Sequence, residues 1–323
     1  GSTEDHTFVL IIGESTTRHQ LGIYDFYRPT TPYLSENKEE LLIYKDVISS
    51  ESHTIESLQS ALSLNNFTKS IESTIIQLMN QAGFKTFWLS NQPPIGIYDT
   101  LLTKVAKASD TEVFTNWSHY GIETPYDEVL LPHLDSALMD TANRKFIVIH
   151  LLATHGIYKL RHPKEFEVFT DIPDTNFKSE SNFEKINSYH NSILYVDFIV
   201  NQVIEKVKAQ HDKSYVIYLS DHGEEVYKDI NFSGHNLLDY PTPSLYEIPF
   251  IVWLSQEYQS NYSLDFNAER PYSISNLLHS MSDLSKVNFE KRDLTKSIFS
   301  KEFKPTKRII SKGFDFDQYF KND

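Results

Sequence analysis

Short apolar runs recur along the chain, and most are separated by segments whose apolar residues have helical spacing. The runs lie at 7–12, 41–48, 84–89, 145–152, 215–219 and 248–254. Runs of this length predict buried β-strands, and the segments between them predict amphipathic helices. Strands that alternate with helices through short loops predict one α/β domain over 1–323, with a mainly parallel central sheet and helices on both faces.

The clearest predicted helix covers 189–208, where apolar residues occupy one face. Other helices are predicted at 33–37, from Ile55 onward, and at 70–82, 99–108, 126–139 and 273–281. The segment 161–188 is polar and charged, and it lacks clear periodicity. It predicts a long surface insertion, a feature that often carries function in a compact domain.

Polar side chains able to bind a metal or act as nucleophiles follow several predicted strands. They are Glu14, Thr54, His155, Asp221 with His222, and His235 in a neighbouring loop, and Asn91 is a further polar residue at a strand end. Open α/β sheets bind ligands outside the carboxyl ends of their strands, so we expect these groups to meet on one edge. Several independent turns would rarely all carry this chemistry by chance.

Each residue also has a structural explanation when considered alone. An acidic residue such as Glu14 is favourable in the first turn of a helix. Thr54 is predicted at an N-cap, where a threonine hydroxyl satisfies a backbone N–H. Asp221-His222-Gly223 by itself is a polar turn. His150 lies inside a strand, so we interpret it as a core histidine.

The oxygen and nitrogen atoms expected at this edge suit a metal ion of intermediate hardness. Glu14, Thr54, Asp221 and His222 offer three oxygen ligands and one nitrogen ligand, a set compatible with zinc. Zinc would lower the pKa of the Thr54 hydroxyl, and its attack on phosphorus would give a phospho-threonine intermediate. His155 and His235 could bind phosphate oxygens, hold a second metal or protonate a leaving alcohol.

Composition excludes several other classes of function. The chain has 323 residues, a formal net charge of -14 and no cysteine. The acidic balance argues against a broad basic face for nucleic acid, and disulfides and thiol nucleophiles are impossible. No apolar run approaches the ~20 residues that span a membrane. Gly1-Ser2 is typical of a pair left by cloning, so we expect an upstream membrane or targeting region to have been removed.

Several stretches together resemble the bacterial phosphoethanolamine transferases of the alkaline phosphatase/sulfatase superfamily. They are 13–16, 52–58, 150–156, 189–195, and 220–224 with Gly234-His235, in matching order along most of the chain. The resemblance implies a zinc enzyme anchored in the inner membrane, with its catalytic domain in the periplasm. Such enzymes transfer phosphoethanolamine from phosphatidylethanolamine to lipid A, core sugars or other surface glycans and proteins.

The resemblance also implies residue roles. It assigns Glu14, Thr54, Asp221 and His222 to zinc, Thr54 as nucleophile, and His155 and His235 to the phosphate. We expect Asn91 to contact the substrate as well. Members specific for lipid A carry disulfides, so the absence of cysteine places the chain nearer the core-sugar or broad-acceptor branch. The loop 92–98 lacks the lysine that some members have there.

Other functions also fit the sequence. A metal-dependent phosphatase or phosphodiesterase would differ only in using water as the acceptor. A metal-stabilised glycan-binding module would form no covalent intermediate and would tolerate Thr54→Ala. A sulfatase needs a formylglycine precursor, and the chain has no cysteine and no serine in the required context. We expect the segment 161–188 to help select the acceptor.

Overall fold

The computed structural model describes residues 5–64, 73–94, 101–117, 124–237 and 239–320. Within these ranges the strands are β1 (His6–Gly13), β2 (Leu41–Tyr44), β3 (Val47–Ile48), β4 (Lys85–Ser90), β5 (Thr111–Phe114), β6 (Arg144–His150), β7 (Lys213–Ser220), β8 (Glu225–Val226), β9 (Ser233–Gly234), β10 (Phe250–Leu254) and β11 (Tyr272–Ser273). The α-helices are α1 (Pro32–Glu36), α2 (Thr54–Leu62), α3 (Ile75–Gln81), α4 (Leu101–Lys107), α5 (Leu131–Leu138), α6 (Glu180–Lys208), α7 (Gln256–Asn261), α8 (Leu277–Leu284) and α9 (Phe316–Phe320).

A 7-stranded sheet forms the centre of the fold, in the order β2-β10-β7-β1-β6-β4-β5. Strands β7, β1, β6, β4 and β5 run parallel, and β10 is antiparallel to both of its neighbours, β7 and β2. The predicted α/β class with a mainly parallel sheet is therefore confirmed.

Alternate residues of β1 pack into separate cores on the two faces of the sheet. Phe8, Leu10 and Ile12 join apolar residues of α2, α3 and α8, whereas Val9 and Ile11 join those of α5 and α6. A strand covered on both faces has to be apolar throughout, which explains the continuous apolar run at 7–12. Helices do cover both faces, as predicted.

The carboxyl ends of β1, β6 and β7 lie side by side. Gly13 pairs with Ser220, and Ile12 pairs with His150. Polar residues that follow these pairs in sequence therefore emerge at the same edge of the sheet, as expected for parallel strands.

Several predicted boundaries are wrong. The run 41–48 forms two strands, and β3 pairs with β11 instead of extending the central sheet. The edge strand β5 was not predicted, because it combines polar with apolar residues and none of them is fully buried. The helix predicted at 126–139 is a 3-10 turn followed by the shorter α5. Positions 70–72 and 99–100, predicted as helix, lie outside the described residues.

The segment 161–188 also differs from its prediction, because α6 begins at Glu180 and takes in its last part. Ser179 caps this helix, and its hydroxyl accepts the backbone N–H of Asn182 at 3.1 Å. The first turns of α6 are mostly exposed, so apolar spacing does not reveal them. Among the described helices, α6 included, none has the combined length and hydrophobicity to cross a membrane.

Candidate active site

Backbone N–H groups of the turn after β1 donate hydrogen bonds to the turn after β7. The N–H of Ser15 donates to Asp221 Oδ1 at 3.0 Å, and the N–H of Thr16 donates to the carbonyl of His222 at 3.0 Å. Gly223 lies so close to the next loop that a Cβ there would be 2.0 Å from the Ser244 carbonyl oxygen. Close backbone approach, and not a positive φ, therefore explains this glycine.

Three of the predicted metal ligands lie together at this edge. Ligand atoms of Glu14, Asp221 and His222 all lie within 4.8 Å of one another, and the three residues are buried. Nε2 of His222 is 3.4 Å from Glu14 Oε1 and 3.6 Å from Asp221 Oδ2. Thr54 joins them, with its hydroxyl 3.2 Å from Glu14 Oε2 and 3.4 Å from His222 Nε2.

The unsatisfied atoms of this cluster fit a cation. Oδ2 of Asp221 is buried and has no hydrogen-bond partner among the described residues. The Nδ1 of His222 lies 2.7 Å from the carbonyl of Gly223, so it donates there and directs the Nε2 lone pair toward the carboxylates. Histidine ligands of metals are typically oriented by such a bond from the other ring nitrogen. Carboxylate, imidazole and hydroxyl together suit zinc.

The pKa values in the cluster reflect two buried carboxylates, Glu14 and Asp221, that lie beside one imidazole, His222. Burial raises the pKa of Asp221 to about 6, with the nearby Glu14 carboxylate acting in the same direction. Burial opposes the charged form of Glu14 too, but the hydrogen bond from His222 and the charges of His155 and His222 hold its pKa well below the usual value. Although burial disfavours the imidazolium, the two carboxylates raise the pKa of His222 to about 10. A bound divalent cation would keep both carboxylates ionised and the imidazole neutral.

Thr54 does not have the capping role that its position suggested. The N-cap of α2 is His53, the helix has no side-chain cap bond, and Thr54 is the first helical residue. Its hydroxyl is directed instead toward Glu14 and His222. The prediction of an N-cap at Thr54 is wrong, and the hydroxyl lies at the N-terminus of a helix, where backbone dipoles favour a phosphoryl group.

His155 and His235 line the same cavity, which has a volume of about 720 Å³. The ring of His235 lies 4.6 Å from that of His222, measured between centroids. Burial lowers the pKa of His155, whereas the carboxylate of Glu224 raises that of His235 against the effect of burial. The structure thus brings both histidines to the edge that carries the metal-ligand cluster.

The turn that carries His155 has an unusual backbone conformation. Thr154 and Ile157 are β-branched residues with φ values of 76° and 67°, a region that such residues rarely adopt. The Thr154 N–H donates to the Ser192 hydroxyl at 2.9 Å, and its own hydroxyl donates to the Glu14 carbonyl. Strained residues held by their surroundings are typical of functional sites.

Sequence reasoning did not assign a role to Glu224 or Tyr158. Glu224 Oε2 accepts from His235 Nδ1 at 2.7 Å, and its Oε1 accepts from the Tyr158 hydroxyl at 2.6 Å. Ligand atoms of His222, Glu224 and His235 form a second group that could hold a metal ion. The signal was present in the sequence, because an acidic residue directly follows Asp221-His222-Gly223.

Gln92 was also not predicted to take part in the site, although it begins the loop 92–98, where some family members have a lysine. Its amide donates to Glu14 Oε2 at 2.7 Å and to the Leu151 carbonyl at 2.9 Å. Gln92 therefore joins the cluster from the end of β4. A neutral amide has no sequence signature of metal chemistry, so only the fold shows this contact. Positions 95–98 of that loop lie outside the described residues.

Asn91 is the one predicted site residue that the structure places elsewhere. It is fully buried, and its amide donates to a backbone carbonyl and to Asp127 Oδ1, while its oxygen accepts from Thr115. Asp127 in turn accepts the backbone N–H groups at 152 and 153. These contacts use both N–H donors of the amide and bury its oxygen, so they argue against substrate binding by Asn91 and give it a part in supporting the turn before His155.

His150 lies in the core as expected, but its Nε2 has no hydrogen-bond partner among the described residues, so it is not a fully satisfied core histidine. It is 2 % exposed, and its Nδ1 lies 3.4 Å from the Ser90 hydroxyl. Its ring packs edge-on against Trp88, with centroids 6.0 Å apart. Burial lowers its pKa to about 4, which keeps the imidazole neutral.

Comparison with known proteins identifies the family of this chain. The family model described as "Sulfatase" matches residues 6–287. The phosphoethanolamine transferase EptC of Escherichia coli strain K12 is 35% identical over 96% of this chain, and the phosphoethanolamine transferase CptA of Salmonella typhimurium is 36% identical over 95%. The chain spans 56% of the length of each of these relatives.

Solved structures show the same fold. The C-terminal periplasmic domain of EptC from Escherichia coli superposes with a TM-score of 0.90 at 34% identity, covering 97% of this chain and 93% of that one. The same domain has also been solved in complex with Zn, again with a TM-score of 0.90. This chain therefore belongs to the sulfatase family, within which it is similar to the phosphoethanolamine transferases.

Proposed function

We propose that this chain is the catalytic domain of a zinc-dependent phosphoethanolamine transferase. The donor would be phosphatidylethanolamine, and the acceptor lipid A, a core sugar or another surface glycan or protein. The observation that carries the proposal is the Thr54 hydroxyl, which lies 3.2 Å from Glu14 Oε2 and 3.4 Å from His222 Nε2. A hydroxyl held among metal-binding side chains is one of the arrangements that activate a nucleophile for covalent phosphoryl transfer.

Zinc, when bound by Glu14, Thr54, Asp221 and His222, would supply a lowered hydroxyl pKa and positive charge near the phosphate. The Thr54 oxygen attacks the donor phosphorus, and the bond from phosphorus to the diacylglycerol oxygen breaks. Phosphoethanolamine remains on Thr54, and the leaving oxygen takes a proton. In the second step an acceptor hydroxyl oxygen attacks the same phosphorus, and the bond from phosphorus to the Thr54 oxygen breaks. The proton that the acceptor hydroxyl loses balances the one that restores the Thr54 hydroxyl.

The two histidines of the cavity would serve the substrate. His155 and His235 line the space beside the ligand cluster, so their rings can donate to phosphoryl oxygens. The carboxylate of Glu224 accepts from Nδ1 of His235, which leaves Nε2 available to exchange a proton with the leaving or attacking oxygen. A membrane anchor outside this chain would hold the domain in the periplasm, at the inner membrane that contains the donor.

Labelled phosphatidylethanolamine tests the proposal with the natural full-length protein. With donor alone, peptide mass spectrometry should find phosphoethanolamine on Thr54, and adding acceptor glycan should remove it. Chelation should abolish both steps, and added zinc should restore them. Free phosphoethanolamine without any glycan product would favour a phosphodiesterase instead. Absence of both adduct and turnover in the zinc-loaded protein would favour a non-enzymatic binding module.

A further inference from the structure

The hydroxyl of Tyr158 makes a buried hydrogen bond beside the active-site cavity. Tyr158 is 6 % exposed, and its hydroxyl donates to Glu224 Oε1 at 2.6 Å. Burial and the Glu224 carboxylate both raise the pKa of Tyr158 well above its usual value, so the hydroxyl keeps its proton and acts as the donor. The proposed transfer steps do not use this group, although it belongs to a residue that lines the same cavity as His155 and His235.

Glu224 connects Tyr158 to His235 by accepting one hydrogen bond on each of its oxygens. Oε1 accepts from the Tyr158 hydroxyl, and Oε2 accepts from Nδ1 of His235 at 2.7 Å. The Glu224 residue is 1 % exposed, and a buried carboxylate is costly unless donors satisfy it. The two donors therefore fix the plane of the carboxylate, and the carboxylate in turn fixes the direction in which the His235 ring faces.

The short β8–β9 pair brings His235 back to Glu224. In this antiparallel pair Glu225 lies opposite Gly234, so the residues just outside them, Glu224 and His235, also lie opposite each other. Gly234 has a φ of 136°, a conformation that is open to glycine and rarely adopted by other residues. The backbone thus places the imidazole beside the carboxylate, and the hydrogen bond then sets the orientation of the ring.

The ring of Tyr158 is held in place from the turn after β1. It packs edge-on against Tyr189, with centroids 4.9 Å apart. The Tyr189 hydroxyl donates to the Ser15 carbonyl at 2.8 Å, and Ser15 directly follows Glu14, a predicted zinc ligand. These contacts give His235 a defined position relative to the metal-ligand cluster.

We propose that Tyr158 is a positioning residue for His235 and acts through Glu224. Without the Tyr158 hydroxyl, one oxygen of a buried carboxylate loses its donor, so the carboxylate can rotate and the His235 ring moves with it. His235 is then misplaced for its role at the phosphate. This inference rests on the proposed transferase function and adds to it a residue outside the set of metal ligands.

Tyr158→Phe tests the proposal because it removes the hydroxyl and keeps the ring against Tyr189. In the full-length, zinc-loaded protein with labelled phosphatidylethanolamine, adduct formation on Thr54 should slow about 10–100-fold, since a misplacement of about 1 Å can cost a factor of 10². In steady-state transfer kcat should fall, while KM for the donor changes less than about threefold. Excess zinc should not restore the rate, and recovery with zinc would overturn the inference by showing an effect on metal binding.

The matched control is Tyr258→Phe. Tyr258 is 0 % exposed, and its hydroxyl donates to the Leu284 carbonyl at 2.6 Å, so this variant loses a buried bond of the same length without affecting Glu224. Denaturant unfolding should show similar losses of stability in the two variants, whereas Tyr258→Phe should form the adduct at the wild-type rate. Slow adduct formation in both variants would mean that the rate follows stability, and it would overturn the inference.

Two double variants show whether the effect passes through Glu224 and His235. Tyr158→Phe should slow adduct formation less than about threefold when it is added to Glu224→Gln or to His235→Ala, because residues that act as one unit are not additive. Peptide mass spectrometry over hours follows the slow backgrounds. A full additional loss in either background, or a wild-type rate in Tyr158→Phe alone, overturns the inference while the wild-type adduct still forms. Absence of the wild-type adduct and of any transfer overturns the proposed function itself.

Discussion

The side-chain amide of Gln92 donates to Glu14 Oε2 at 2.7 Å, and the same nitrogen donates to the Leu151 carbonyl at 2.9 Å. The contact joins the loop after β4 to the carboxylate after β1. It fixes the Glu14 oxygen that also lies 3.2 Å from the Thr54 hydroxyl. Gln92 therefore orients a predicted metal ligand without carrying charge of its own.

Gln92→Ala should weaken zinc binding about 10–100-fold, since the loss of a partner that orients a ligand typically has an effect of this size. Zinc affinity measured by competition with a chelator is the direct readout. Gln256→Ala, at an exposed position on α7, is the control and should retain wild-type affinity. Equal affinities in the two variants would show that Gln92 does not orient Glu14.

Thr54→Ala should abolish the adduct and all transfer, and it should change stability little. The hydroxyl caps no helix end, and alanine is the best helix former, so we expect a loss in unfolding free energy below about 1 kcal/mol. Thr54→Ser keeps a hydroxyl and should retain part of the activity. Denaturant unfolding and single-turnover assays separate the two effects. Transfer at a normal rate by Thr54→Ala would exclude Thr54 as the nucleophile.

His155→Ala and His235→Ala should each reduce turnover about 10²–10⁴-fold, the usual contribution of general acid–base groups. Both side chains are only partly buried, so the melting temperature should change little. His150→Ala provides the contrast, because it removes a buried ring from the core and should lower the melting temperature. A large stability loss in His155→Ala or His235→Ala with unchanged specific activity would indicate structural roles instead.

His150 should make the fold sensitive to mild acid. Burial lowers its pKa in the folded protein to about 4, from the 6.5 that an exposed histidine has. Below pH 6.5 the unfolded chain binds a proton that the folded protein does not, so stability falls as pH drops toward 4 and the effect levels off below that. The loss from this one histidine is about 3 kcal/mol, because a pKa difference of one between the two states corresponds to about 1.4 kcal/mol.

His150→Phe keeps a ring against Trp88 and removes the titration. Denaturant unfolding of both proteins between pH 7 and pH 4 should show a shallower loss of stability in the variant. His190, whose pKa burial lowers to about 3, titrates over an overlapping range in both proteins and cancels in the comparison. Parallel stability curves for the two proteins would contradict the neutral state of His150.

Much of the site could be predicted because the carboxyl ends of parallel strands lie at the same edge of a sheet. Each apolar run predicted a strand, and the residues just past the runs at 7–12 and 215–219 had to emerge on the same edge. Glu14, Asp221 and His222 followed from that rule together with their ligand chemistry. Helix α6 was found from its apolar face, but its exposed first turns were not, because polar residues leave no periodic signal.

The sequence by itself determined the class of fold, the edge of the sheet where the candidate site lies, and the candidate ligands with recognisable metal-binding groups. Only the tertiary structure decided which neutral and supporting side chains take part. Gln92 contacts Glu14 while its neighbour Asn91 is turned into a buried network with Asp127, because successive residues leaving a strand point to different sides. Contacts such as Glu224 with His235 depend on how loops pack in space, and neither spacing nor composition contains that information.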